Sequence, residues 1–134
     1  MINYNNKTWL WTGRIISTLA TLFMLFDGII HLLKVPAVIQ AFQQLGYPLS
    51  VITPLAVIEL ICVVLYIIPR TSVLGAMLLT GYLGGAVDSN VRAGLPLFSY
   101  ILFPVYVGVF LWAGLYLRSQ KLRALIPLQN NDQR

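Results

Sequence analysis

Four apolar runs, at about 12–33, 50–68, 73–90 and 97–117, take up most of the chain and leave little else to fold. Each is close to the ~20 residues that a helix needs to cross a bilayer. In lipid every backbone polar group must be satisfied internally, which favours helices over irregular structure. The chain is 58% hydrophobic and 10% charged, against about 25% charged residues in soluble domains. That deficit points to lipid rather than to a larger core. At 134 residues the chain is short enough for a single domain. The expected fold is all-α: an integral membrane four-helix bundle over 1–134, with a basic polar tail at 118–134.

The punctuation between the runs supports this division. The first connection, VPAVIQAFQQLGYP, places Val35, Val38, Ile39, Phe42 and Leu45 on one helical stripe and Gln40, Gln43 and Gln44 on another. Pro36 suits a first helical turn, Gly46 a stop, and Pro48 forbids continuation. The segment is too short to span, so a short amphipathic helix lying on the membrane surface or capping the bundle is expected between the first and second spans. Pro69 and Arg70 end the second span, and Thr71 and Ser72 are suited to cap the third. Gly94 and Pro96 make the next turn, and Pro104 is expected to kink the fourth span.

The net charge is +5, but the basic residues flank apolar runs instead of interleaving with aromatics, which excludes nucleic-acid binding. Their distribution orients the helices. Lys7, Arg14, Arg70, Arg118, Lys121, Arg123 and Arg134 fall on one side, and Lys34 and Arg92 on the other. The richer side should be cytoplasmic, with both termini there. Trp9, Trp11 and Trp112 mark the same interface. A bacterial inner membrane is the expected location. The apolar run near the N-terminus is longer than that of a cleavable signal, so it is expected to be a retained first span. Cys62 is the single cysteine, so neither an intrachain disulfide nor a paired-cysteine metal or redox motif is available.

Ionisable residues inside spans are costly and tend to face a bundle interior or a water-filled cavity. FDGIIHLLK sets Asp27 and His31 four residues apart, on one helix face, with Lys34 close behind. Glu59 lies near the middle of the second run. Gly81, Gly84, Gly85 and Asp88 share a face of the third, where Asp88 and Arg92 form another i, i+4 pair. The glycine face is expected to let a neighbouring helix approach closely; the other reading is room for a flat ligand. Asp27, His31, Glu59 and Asp88 are expected to converge inside the bundle and open toward the outer side.

FDGIIHLLK, FQQLGYP, IELICVVLYIIPRTSVLGAMLLTGYLGGAV, VRAGLPLF, FPVYVGVFLWAGLYLR and LRALIPL together resemble the DoxX-like membrane proteins. The resemblance runs from about Phe26 to Leu128. It implies a four-helix membrane bundle and an association with quinone-linked redox chemistry, and Asp27, Glu59 and Gly85 match family positions. Two positions depart from the pattern. His31 stands where a lysine is commoner, and Asn90 where a histidine is commoner. With one histidine and no HExxH or ExxH pattern, no metal is expected.

A deep carboxyl beside a histidine is suited to exchanging protons. A quinone needs that at its carbonyl, together with a dry slot for its ring. The expected function is therefore binding of a lipophilic small molecule such as a quinone, by a membrane subunit or accessory protein of a redox system. The ligand site is expected at Asp27, His31, Glu59, Gly81, Tyr82, Gly84, Gly85, Asp88, Asn90 and Arg92. No catalytic residue stands out. Expected partners are the bilayer, the lipophilic ligand, a redox partner subunit and a second copy of the chain. A proton-coupled small-solute carrier and a purely structural subunit are the alternatives.

Overall fold

A computed structural model describes residues 4–126, with side chains from residue 7 onward. The part of the expected tail from residue 127 on lies outside the described residues. Among the described residues six α-helices run in the order α1 Tyr4–Leu32, α2 Pro36–Gln44, α3 Ile52–Ile67, α4 Ser72–Arg92, α5 Phe103–Arg118 and α6 Gln120–Leu125. A 3-10 turn at Leu49–Val51 leads into α3, and a π-helical turn at Leu97–Ile101 precedes α5. Among the described residues the structure is all-helical, with no strand.

Among the described residues three stretches are long and apolar enough to cross a membrane: Lys7–Leu32, Leu49–Ile67 and Leu97–Arg118. The helix α4 has 21 residues, enough for about 30 Å at 1.5 Å per residue. Thr80, Gly81, Gly84, Gly85 and Asp88 dilute its apolar character, and it falls short of the other three in hydropathy. The long helices pack in a closed order: α1 against α3 and α5, and α4 against α3 and α5. Their outward faces carry large exposed apolar side chains such as Leu19, Phe26, Ile61 and Val109. That is the inverse of a soluble surface and suits acyl chains.

The interior is drawn from one stripe of each helix. On α1 the buried positions are Gly13, Ser17, Ala20, Met24 and Gly28, a spacing of four, three, four and four. Gly13, and Gly114 opposite it on α5, are glycines for a steric reason. A Cβ on Gly13 would sit 2.8 Å from the Gly114 carbonyl oxygen, and one on Gly114 would sit 2.8 Å from the Ser17 amide nitrogen. Small residues let membrane helices approach this closely, so the α1–α5 contact is backbone against backbone. A hydrogen-bonded chain ties the same end together: Arg118 Nε donates to Ser17 Oγ at 3.1 Å, Ser17 lies 3.1 Å from the Tyr66 hydroxyl, and Tyr66 donates to the Leu111 carbonyl at 2.6 Å.

At the opposite end α2 packs against the start of α3. Val38 and Phe42 are buried with Ile52, while Gln40, Gln43 and Gln44 are exposed, as the stripe required. The turn before α2 puts Lys34 at φ 51°, and the turn after it puts Gly46 at φ 79°. The backbone closes the second turn with Tyr47 N donating to Phe42 O at 3.0 Å. Pro104 does not kink a continuous helix. It falls at the start of α5, where a missing N–H costs nothing, and the π turn absorbs the change in path. The first residues of the expected tail also fold. Ser119 Oγ accepts from the Leu122 amide at 3.2 Å and starts α6, and Leu122 is buried.

Candidate functional site

The site is built where α1, α3 and α4 meet beneath α2. Helical spacing sets Asp27 and His31 one turn apart, with His31 Nδ1 3.4 Å from Asp27 Oδ2. The same Nδ1 lies 2.6 Å from the Asp27 backbone oxygen. A carbonyl only accepts, so Nδ1 donates to it. Glu59 comes from α3 and is 0% exposed. The Tyr82 hydroxyl on α4 donates to Glu59 Oε2 at 3.0 Å. Glu59 Oε1 has no hydrogen-bond partner among the described residues.

Gly28 makes the meeting possible. A Cβ there would lie 2.6 Å from the Leu60 side chain and 3.7 Å from the Glu59 carboxyl carbon. With no Cβ, α1 settles onto α3, and Asp27, His31 and Glu59 each present one ligand-capable atom, all within 4.8 Å of one another. Two acids and one base thus share a small volume, with His31 17% and Asp27 32% exposed at the side chain.

A cavity of about 360 Å³ opens beside this group. Asp27, His31 and Tyr82 form its polar wall; Phe23, Met24, Phe42, Leu55 and Phe103 supply much of the apolar remainder. Its roof comes from α2 and the segment that follows. The His31 ring meets Phe42 edge-on at 5.6 Å, Phe42 lies against Tyr47 at 5.9 Å, and the Tyr47 hydroxyl sits 2.5 Å from Ser89 Oγ. Ser89 in turn donates to the Gly85 carbonyl at 2.8 Å. An apolar cleft of a few hundred Å³ with a few convergent polar groups is the usual form of a small-molecule site.

The residues expected at the site are distributed unevenly. Asp27, His31, Gly81, Tyr82, Gly85 and Asn90 line the cavity. Glu59 lies behind the wall, reached through Tyr82 and Asp27. Asn90 also donates to the Tyr100 carbonyl at 2.8 Å. Gly84 lines a different, mostly apolar groove between α4 and α5. Asp88 and Arg92 are exposed, and no ion pair joins them among the described residues. The Arg92 guanidinium instead lies over the Tyr47 ring at 5.5 Å. A Cβ on Gly81, Gly84 or Gly85 would meet nothing within 4 Å among the described residues, so none of the described helices packs closely on that face. Phe42, Tyr47, Ser89 and Gly28 were missed by the sequence reading. For Ser89 a signal existed: Leu79 and Leu83 are the buried leucines of α4, and continuing their spacing leads to Ala86, Ser89 and Asn90 rather than to Asp88.

A family model described as the DoxX-like family matches residues 15–114 of the chain. Neither a curated protein nor a solved structure matches it.

Proposed function

The chain belongs to the DoxX-like family, and from that premise we propose that it is a membrane protein whose cavity beneath α2 binds a lipophilic small molecule of the quinone class. It serves as a subunit or accessory protein of a redox system. In this reading α1, α3, α4 and α5 all span, both termini are cytoplasmic, and the membrane is the inner membrane of a bacterium. The observation that carries the reading is the cavity itself. Its volume of about 360 Å³ suits one ring with a short substituent, and its mostly apolar walls carry Asp27, His31 and Tyr82 as one polar group and Tyr47, Ser89 and Asn90 as another. A quinone carbonyl at that wall has hydrogen-bonding groups within reach, and the ring has Phe23, Phe42 and Phe103 to lie against. His31 and Tyr82 stand at the polar wall, where the ligand's carbonyl would lie. Electrons come from a partner subunit.

Binding of a short-chain benzoquinone to the detergent-purified protein, followed by calorimetry, tests this. Wild type is expected to bind. His31→Gln and Asp27→Asn are expected to weaken binding by about 10-fold to 100-fold, since hydrogen bonds to charged groups contribute about 1.5–3 kcal/mol. Absence of binding, or undiminished binding in both folded variants, replaces this reading with that of a structural subunit.

A further inference from the structure

The group at the polar end of the cavity has a feature that ligand binding alone does not use. Glu59 is completely buried, one of its carboxyl oxygens is unpartnered among the described residues, and a second carboxylate stands within 4.8 Å of it. Two carboxyl groups this close, one of them completely buried, require a positive charge between them or a proton on one. The nearby lysine and arginine do not supply it. Lys34 is exposed, and Arg92 is exposed and lies over Tyr47. His31 completes the group: the hydrogen bond between its ring and the Asp27 carbonyl fixes the ring's position, and one ring nitrogen lies within 4.8 Å of both carboxyl groups.

We propose that Asp27, His31 and Glu59 form a three-ligand site for a divalent first-row transition ion, with an open coordination position toward the cavity. One imidazole and two carboxylates suit Zn²⁺, Mn²⁺ or Fe²⁺, and the site offers no thiolate that would select a softer ion. At the usual ~2.0–2.2 Å metal–ligand distances, ligand atoms of one ion lie at most about 4.4 Å apart. The present separation of up to 4.8 Å closes with small side-chain rotations. Glu59 Oε2 stays oriented by Tyr82 while Oε1 faces the ion. The histidine count argued against a metal in the sequence; the fold supplies the missing ligands from a second helix. The inference goes beyond the lipophilic-ligand reading and stands without it, because the ion is measured with no quinone present.

The test uses the full-length protein in detergent, stripped with a chelator and then loaded with Zn²⁺ or Mn²⁺ alone. After desalting, elemental analysis is expected to find one equivalent of metal per chain, with a rise in the thermal midpoint. Glu59→Gln and His31→Gln are expected to weaken binding by more than the roughly 10–100-fold that loss of an outer-shell partner costs. Asp88→Asn, on an exposed carboxylate, is expected to bind as wild type does. Should the site variants fail to fold, the wild-type Mn²⁺ complex still decides. Its pulsed paramagnetic resonance spectrum must show coupling to one imidazole nitrogen. Substoichiometric metal, a spectrum without nitrogen coupling, or equal losses in Asp88→Asn overturn the proposal.

Discussion

Tyr82 holds one oxygen of Glu59 at 3.0 Å and leaves the other free. Removing that hydroxyl strands both oxygens of a buried carboxyl. Tyr82→Phe is therefore expected to lower stability by about 1 kcal/mol in a denaturing-detergent titration, within the range of side-chain hydrogen bonds in membrane proteins. Unchanged stability there would mean that the carboxyl finds another donor. Backbone conformation sets a second residue-level expectation. Gly46 sits at φ 79° with nothing near the position of a Cβ, so Gly46→Ala costs only the left-handed conformation. A loss of about 1 kcal/mol is expected, measured in the same titration. The pairing of Asp27 with His31 was legible in the sequence because it is local, four residues along one helix. The meeting of Tyr82 with Glu59, and of Tyr47 with Ser89, was not, since each joins elements whose relative placement no short spacing encodes.

Helix α4 shows where periodicity misleads. Its glycines and Asp88 repeat at helical spacing, and the eye takes that repeat for an interface. The packed face is the one bearing Leu79 and Leu83, both buried, because burying large apolar side chains among other helices settles the rotation. The close glycine contact of this fold is between α1 and α5 instead, at Gly13 and Gly114. These two cases predict opposite outcomes. Gly114→Ala is expected to cost about 1–3 kcal/mol by overpacking, while Gly85→Ala is expected to fall within about 0.5 kcal/mol of wild type. Parallel thermal melts of the two variants check the contrast; equal losses would mean that the α1–α5 contact is looser than the backbone distances require. By comparison α2 was fully legible, because a nine-residue helix with one apolar stripe and three glutamines has a single way to face.

For the whole molecule, the long apolar runs made the helical membrane character plain, while the position of the cavity depended on how α1, α2 and α4 come together. Gln43 and Lys121, at opposite ends of the helices and both exposed, report the topology. With Cys62→Ala removing the native thiol, Gln43→Cys and Lys121→Cys are expected to react with an impermeant maleimide from opposite faces of a sealed vesicle. Reaction from one face would rule out the proposed arrangement of four spans with a cytoplasmic C-terminal segment. The central claim is that the cavity beneath α2, walled by Asp27, His31 and Tyr82, is where a lipophilic ligand binds. Photolabelling with an azido-substituted short-chain quinone, followed by peptide mapping, tests it most directly. Label is expected on the segments carrying Phe23, Phe42 and Tyr47, and unlabelled quinone should displace it. Label confined to the apolar groove between α4 and α5, around Val105 and Val109, would contradict the account.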